Sequence, residues 1–127
     1  MRNDKRILLI DDEEVITFGF CSYLQEPGVE VESANTLEEA LTLISLHQYD
    51  AAVVDLRLSN STAVEGFECI KQLRALQKNC KIIVMTAYGG NGYREEALKL
   101  GVNLFFEKPI EPEVIKRVFG EFGIYEK

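Results

Sequence analysis

The chain has 127 residues, of which 46% are hydrophobic and 28% are charged, close to the averages of soluble globular domains. This length predicts a single domain over residues 1–127, with a core that needs no disulfide or metal support, and it excludes two tandem domains. The formal net charge of −7 argues against a surface built for nucleic acid or for an anionic membrane.

Short apolar runs predict five strands. In chain order they cover residues 7–10, 29–33, 51–54, 82–85 and 102–106. The first, third and fourth runs are continuous and aliphatic, as expected for strands that are buried on both faces. The second and fifth patterns are weaker.

Helical patterns lie between the strands and after the last one. The first is predicted for residues 13–24, and a capping box of Thr36 and Glu39 begins the second. Gly101 is predicted to end the fourth helix, and Pro112 suits the first turn of the fifth. The apolar positions at helical spacing are Ile16, Phe20, Tyr23 and Leu24; Leu37, Ala40, Leu41 and Ile44; Phe67, Ile70 and Leu73; Ala97, Leu98 and Leu100; and Val114, Ile115, Val118, Phe119 and Phe122.

Strands and helices that alternate from end to end predict an α/β fold of the (βα)₅ type. Right-handed crossovers and this length favour a doubly wound, flavodoxin-like sheet of five parallel strands in the order 2-1-3-4-5. The sequence contains no internal repeat and no linker.

Cysteine usage and targeting signals predict a cytoplasmic protein. Cys21, Cys69 and Cys80 have neither CxxC spacing nor a nearby histidine, so we expect free thiols in a reducing compartment. The N-terminus has too short an aliphatic run for a signal peptide, and no apolar stretch approaches the length of a membrane span.

Polar residues stand at the carboxyl ends of four predicted strands. Asp11 and Asp12 end the first, Asp55 the third, Thr86 the fourth and Lys108 the fifth. In an open parallel sheet, ligands bind outside the carboxyl ends of the strands, where the strand order reverses. We therefore expect three carboxylates to converge there, with a hydroxyl and an ammonium beside them.

Three crowded carboxylates raise one another's pKa unless a cation neutralises them. Oxygen ligands without His or Cys favour Mg²⁺, with Mn²⁺ as an alternative. A carboxylate beside such an ion can attack phosphorus and form an aspartyl phosphate. Lys108 would then neutralise phosphoryl charge, and the Thr86 hydroxyl could donate to a phosphoryl oxygen.

Over essentially its whole length, the chain resembles the receiver domains of two-component response regulators, in particular the single-domain chemotaxis type. The matching segments are Ile-Leu-Leu-Ile-Asp-Asp-Glu at 7–13, Val-Val-Asp-Leu-Arg-Leu at 53–58, Met-Thr-Ala at 85–87, Gly101, and Phe-Glu-Lys-Pro at 106–109. The resemblance implies that Asp55 is the phosphoacceptor. It also implies that Asp12 binds Mg²⁺ directly, that Asp11 acts through a metal-bound water, and that the Arg57 backbone carbonyl completes the protein ligands.

The same resemblance implies a switch. Lys108 and Thr86 would contact the phosphoryl group, Phe105 would be the switch aromatic that rotates inward, and the Lys108–Pro109 bond would be cis. The donor would be a histidine kinase or a phosphorelay His domain. The face made by the last two helices and the strand between them would then control an unidentified protein partner, in a monomer or in a dimer through that face.

Two features depart from the family pattern. Gly66 is the plausible match for a glycine that receivers usually place three residues closer to the phosphoacceptor, so we expect an extended loop over residues 58–66. Arg57 and Tyr88 place bulky groups where small or acidic ones help water attack, which predicts slow autodephosphorylation.

Other functions stay open on the residues alone. A small Mg²⁺-dependent phosphatase with an aspartyl nucleophile usually carries a DxD motif after the first strand, and Glu13 stands at its second position here. A flavin- or nucleotide-binding protein lacks support because no glycine-rich loop follows that strand. A pseudo-receiver that acts by protein binding alone is a further alternative, although the complete residue set speaks against it. The chain is not expected to be an enzyme beyond slow autophosphorylation from small donors and autophosphatase activity.

Overall fold

Three aliphatic runs form the centre of a five-stranded parallel sheet. The computed structural model describes residues 4–58, 64–87, 90 and 92–125. Its strands are β1 (Lys5–Ile10), β2 (Val29–Ala34), β3 (Ala51–Val54), β4 (Lys81–Thr86) and β5 (Leu104–Glu107). All strand pairs are parallel and the order is β2-β1-β3-β4-β5, so the predicted 2-1-3-4-5 topology is confirmed.

Helices cover both faces of the sheet. They are α1 (Glu14–Leu24), α2 (Leu37–Leu46), α3 (Val64–Leu76), α4 (Tyr93–Lys99) and α5 (Pro112–Glu121). Because successive strand residues point to opposite faces, Leu8 and Ile10 pack with α2, α3 and α4, whereas Ile7 and Leu9 pack with α1 and α5. The alternating chain thus builds two apolar layers, one on each side of the sheet.

Local sequence signals begin and end helices where the sequence indicates. The Thr36 hydroxyl accepts a hydrogen bond from the Glu39 N–H at 3.1 Å, which confirms the helix start at the capping box. The return bond differs, because the Glu39 carboxylate accepts from the N–H of Asn35 rather than that of Thr36. Gly101 follows α4 with a φ of 100°, a left-handed conformation that costs glycine little.

Some apolar residues lie elsewhere than the helical pattern predicts. Tyr23 is 47% exposed, and the buried face of α1 consists of Thr17, Phe20 and Leu24. Thr17 can be buried because its hydroxyl donates to the Glu14 carbonyl within the helix. Leu98 of α4 is also exposed, at 43%.

The last strand begins later in the chain than the sequence pattern predicts. Val102 is buried, yet its N–H donates to the Ala97 carbonyl in the turn after α4, so its backbone is outside the sheet. Its apolar side chain therefore gave a strand signal at a turn residue. β5 begins at Leu104 instead.

The three cysteines are free, with Cys69 and Cys80 buried and Cys21 partly buried. The Lys108–Pro109 bond is cis, as the resemblance implies. Among the described residues, no helix combines the length and apolarity needed to cross a lipid bilayer.

Candidate functional site

Backbone hydrogen bonds continue past the strand ends and align the predicted site residues. The Asp11 N–H donates to the Ala34 carbonyl at 3.1 Å, and the Asp55 N–H donates to the Ile10 carbonyl at 2.8 Å. The Lys108 N–H likewise donates to the Thr86 carbonyl at 2.8 Å. The sheet itself therefore brings these residues to one edge.

Three carboxylates meet at this edge. Asp11, Asp12 and Asp55 each offer an oxygen, and these atoms all lie within 4.8 Å of one another. Asp11 and Asp55 are buried, whereas Asp12 is exposed at the mouth of the site. Such a cluster needs a positive charge to be stable, and an all-oxygen donor set suits Mg²⁺ or a similar hard cation. The residues present thus fit the predicted metal.

The Lys108 ammonium lies among these carboxylates. Its Nζ is 2.8 Å from Asp11 Oδ2, 3.0 Å from Asp55 Oδ2 and 3.2 Å from Glu13 Oε1. The same atom therefore joins the ends of β1, β3 and β5. It provides positive charge beside the carboxylate that would receive a phosphoryl group.

Three groups of the site, Asp11, Asp12 and Lys108, have raised pKa values. Burial raises the pKa of Asp11, and the Asp55 charge adds to this, while hydrogen bonds from Lys108 and the Glu13 N–H offset only part of it. Partial burial and then the Asp55 charge raise the pKa of Asp12. Burial alone would lower the pKa of Lys108, but its hydrogen bonds and attraction to Asp11 and Asp55 outweigh burial and raise it. Burial is thus the main influence on the two aspartates, whereas pairing with carboxylates outweighs burial at Lys108.

Backbone and amide groups fix the orientation of the two buried carboxylates. The Glu13 N–H donates to Asp11 Oδ1 at 2.9 Å, and the Arg57 N–H donates to Asp55 Oδ1 at 3.3 Å. Asn35, just after β2, donates its side-chain amide to the Asp11 carbonyl at 2.7 Å. The second oxygen of each carboxylate, Oδ2, therefore faces Lys108.

Thr86 and Phe105 lie on the neighbouring strands. Thr86 is the last residue of β4 and is fully buried. Phe105 of β5 is already inward, at 7% exposure. A guanidinium nitrogen of Arg94 on α4 donates to the Phe105 carbonyl at 3.3 Å, and the guanidinium lies 5.8 Å from the centre of the Phe105 ring.

The loop between β3 and α3 is only partly described. Residues 59–63 of the expected 58–66 extension lie outside the described residues, and so does Tyr88. Gly66 lies within them, and its N–H donates to the Leu56 carbonyl at 3.0 Å. A Cβ atom at Gly66 would overlap the Leu56 backbone, so only glycine allows α3 to approach the chain this closely, one residue beyond Asp55.

Sequence reasoning missed two residues of the site, Glu13 and Asn35. Glu13 contacts Lys108, and Asn35 holds the backbone of Asp11. Only their positions in the sequence could have indicated these two residues, since Asn35 directly follows β2 and Glu13 extends the acidic run after β1. Neither position specifies the direction of the side chain, which decides the contact.

Comparison with known proteins identifies the family. Residues 7–119 match the family model described as the response regulator receiver domain, so the chain belongs to that family of two-component signalling domains. It is 27% identical over 116 residues to the sporulation initiation phosphotransferase F of Bacillus subtilis, covering 91% of this chain and 90% of that protein. It is 30% identical over 116 residues to the alginate biosynthesis transcriptional regulatory protein AlgB of Pseudomonas putida, covering 90% of this chain but only 25% of AlgB. The chain thus spans a quarter of that curated relative's length.

Solved structures give the same result. A CheY-like receiver domain protein from Methanospirillum hungatei superposes with a TM-score of 0.84 at 27% identity, covering 94% of this chain and 93% of that one. A Burkholderia pseudomallei response regulator, solved with a phosphorylated aspartic acid, a calcium ion and citrate, has a TM-score of 0.79 at 29% identity. That likeness covers 95% of this chain and 74% of the Burkholderia chain.

Proposed function

We propose that the chain is a phosphoacceptor switch in which Asp55 receives a phosphoryl group in a Mg²⁺-dependent reaction. The donor is a phosphohistidine of a histidine kinase or of a phosphorelay His domain. The observation that carries this proposal is the meeting of the Asp11, Asp12 and Asp55 carboxylates with the Lys108 ammonium at one sheet edge. The phosphorylated aspartic acid in the similar Burkholderia structure supports it.

The transfer exchanges one bond to phosphorus for another. A carboxylate oxygen of Asp55 bonds to phosphorus, the P–N bond of the phosphohistidine breaks, and its electron pair returns to the ring nitrogen. The product is an acyl phosphate. Lys108 neutralises charge on the phosphoryl oxygens, and the Thr86 hydroxyl donates to one of them.

The residues that would hold the ion directly are Asp12, Asp55 and Arg57, the last through its backbone carbonyl, while Asp11 acts through a metal-bound water. When bound, Mg²⁺ supplies charge neutralisation for the reacting group. The calcium ion in the Burkholderia structure supports a divalent cation, and the all-oxygen donor set of the three aspartates suits a hard one.

The chain transmits its signal by a shift in the populations of two conformations. The contact of the Thr86 hydroxyl with the phosphoryl group, together with an inward Phe105 ring, favours one arrangement of the face formed by α4, β5 and α5, and that face controls a protein partner in the cytoplasm. The chain acts either as a monomer or as a dimer through this face. It does not bind nucleic acid or a membrane directly.

Incubation with Mg²⁺ and acetyl phosphate, followed by intact mass measurement, tests the proposal. We expect one phosphoryl adduct in the wild-type protein and none in Asp55→Ala. An adduct that persists in Asp55→Ala would contradict the assignment of the acceptor. Measurable Mg²⁺ binding without an adduct would favour a pseudo-receiver, and steady release of phosphate at enzyme-like turnover would favour a phosphatase.

A further inference from the structure

Glu13 directs its carboxylate into the site. Its backbone is held on both sides, because its N–H donates to Asp11 Oδ1 and its carbonyl accepts from the Thr17 N–H. It is the N-cap residue of α1, and its side chain makes no capping hydrogen bond. The carboxylate contacts Lys108 Nζ at 3.2 Å. The side chain therefore interacts with the end of β5 and not with its own helix.

Glu13 differs from the two other carboxylates that contact Lys108. An ammonium has three N–H donors, and here all three find carboxylate oxygens. The side chains of Asp11 and Asp55 are 4% and 7% exposed and belong to the carboxylate cluster. The Glu13 side chain is 62% exposed and stands outside that cluster. It can therefore stay with Lys108 when the cluster takes another cation.

We propose that Glu13 is a positioning residue that keeps the Lys108 ammonium paired at the mouth of the site while a divalent cation occupies the carboxylate cluster. This inference rests on the proposed function, in which that cluster binds Mg²⁺. An ammonium and a divalent ion neutralise the same carboxylates, so a bound ion weakens the attraction that holds Lys108 against them. Leaving a half-buried ammonium unpaired is costly, and the Glu13 carboxylate lowers that cost.

A simpler effect must be separated from this one. Glu13 also adds a negative charge near the site, and any such charge attracts a cation through space. A field effect depends on the charge alone and acts whether or not Lys108 is present. A positioning effect depends on the reach of the Glu13 side chain and on the ammonium that it contacts.

Isothermal titration of the 127-residue chain with Mg²⁺ separates the two effects. We expect Glu13→Gln to weaken Mg²⁺ affinity about threefold to fivefold, the upper part of what an exposed ion pair contributes. Glu14→Gln removes the same charge one residue along, in the exposed first turn of α1, and should change the affinity less than about twofold. In a Lys108→Met background, Glu13→Gln should also change it less than about twofold, because the pair is already broken.

Glu13→Asp provides a second test that keeps Lys108. It preserves the charge but shortens the side chain by one methylene, so the carboxylate loses its contact with the ammonium. We expect a loss of Mg²⁺ affinity similar to that of Glu13→Gln. Wild-type affinity in Glu13→Asp, or an equal effect of Glu13→Gln with and without Lys108, would mean a field effect and would overturn the proposal.

The result is distinguishable from a failure of the proposed function. A wild-type chain that binds Mg²⁺ but takes no phosphoryl group would contradict the role of Asp55, while the comparison of the Glu13 variants would still be decisive. A wild-type chain that binds no Mg²⁺ would contradict both proposals.

Discussion

The Lys108 ammonium allows two carboxylates to lie buried beside each other. The side chains of Asp11 and Asp55 are almost completely buried, and each places one oxygen within 3.0 Å of Lys108 Nζ. Removing a single partner from such a group leaves uncompensated charge in a poorly solvated place, which costs far more than an exposed ion pair contributes. Burial is the main cause of the raised pKa values of Asp11 and Asp12, and the negative charge of Asp55 adds to it.

The effect of Asp12→Asn on stability should depend on whether a divalent ion is bound. Folding partly buries the Asp12 carboxylate and brings it toward Asp55, so the neutral amide should leave the metal-free protein equally stable or up to about 1 kcal/mol more stable. With Mg²⁺ present, the wild-type protein should gain stability through binding, and the variant should gain much less. Urea unfolding with and without Mg²⁺ measures both effects.

Asp4→Asn is the control for this experiment. It makes the same chemical change at an exposed position just before β1, at the opposite end of the sheet from the site. It should leave the stabilisation by Mg²⁺ unchanged. If Mg²⁺ stabilised Asp12→Asn as strongly as the wild-type protein, Asp12 would not be a ligand.

The lifetime of the phosphorylated state is a second prediction at the residue scale. Hydrolysis needs a water in line with the breaking P–O bond, and bulky residues stand two positions after Asp55 (Arg57) and two positions after Thr86 (Tyr88) in the sequence. We expect phospho-Asp55 to decay slowly, over minutes or longer, in a time course of intact mass after the donor is removed. Loss of the phosphoryl group within seconds would contradict this expectation.

At the scale of elements, the approach of α3 to the chain that follows β3 sets the shape of the site. Gly66 lies against the backbone of Leu56, the residue after Asp55. The start of α3 therefore positions the segment that carries Asp55 and the Arg57 N–H. A change at this contact should reach the site without touching any charged group.

Gly66→Ala should separate these segments. The new Cβ would meet backbone atoms, which cannot move aside as a flexible side chain can, so we expect destabilisation of about 1–3 kcal/mol together with weaker Mg²⁺ binding. Gly19→Ala is the matched control, because nothing lies within 4 Å of its Cβ position in α1. There the better helix propensity of alanine should stabilise the fold by about 0.5–1 kcal/mol. Two variants of equal stability, measured by urea unfolding, would contradict this interpretation of Gly66.

The sequence predicted those site residues whose position depends on the backbone alone. Asp11, Asp55 and Lys108 were found because they follow strands, and backbone pairing alone brings parallel strand ends together. Glu13 could not be assigned, because its role depends on a side chain that turns away from its own helix.

The same limit applies to the elements. Five strands and their order follow from aliphatic runs and chirality, whereas the boundary of β5 does not, because buried Val102 is apolar in a turn. Hydrophobicity reports burial, and only backbone hydrogen bonding defines a strand. The exposure of Tyr23 and Leu98 reflects the same difference, since helical spacing identifies a face but not its width.

Across the whole molecule, the resolved pKa shifts of the described residues all go upward. Carboxyl, thiol, phenol and ammonium groups all bind their protons more tightly in the folded chain. The groups are Asp11, Asp12, Cys21, Tyr49, Cys69, Cys80, Lys108 and Tyr125. Burial is the largest cause for every acid among them, and neighbouring acidic groups add to it for most. A folded state that holds more protons than the unfolded state loses stability as pH rises.

The buried thiols contribute to the pH dependence of stability in the alkaline range. Burial raises the pKa of Cys69 and of Cys80 from 9.0 to about 12. Between these values the unfolded thiols ionise and the folded ones do not, so the free energy of unfolding should fall as pH rises above 9. Each thiol contributes a slope of at most about 1.4 kcal/mol per pH unit, and Tyr49 and Lys108 act in the same direction.

Urea unfolding between pH 7.5 and about 10.5 measures this slope, within the range set by the thiol pKa values. The wild-type protein should be nearly independent of pH up to about pH 8.5 and should then lose stability steadily. In Cys69→Ala/Cys80→Ala, the absolute stability will differ because the packing changes, but the alkaline slope should be clearly smaller. Equal slopes in the two proteins would mean that Cys69 and Cys80 ionise equally in the folded and unfolded states. The loss of stability at alkaline pH would then have to come from the remaining titratable groups.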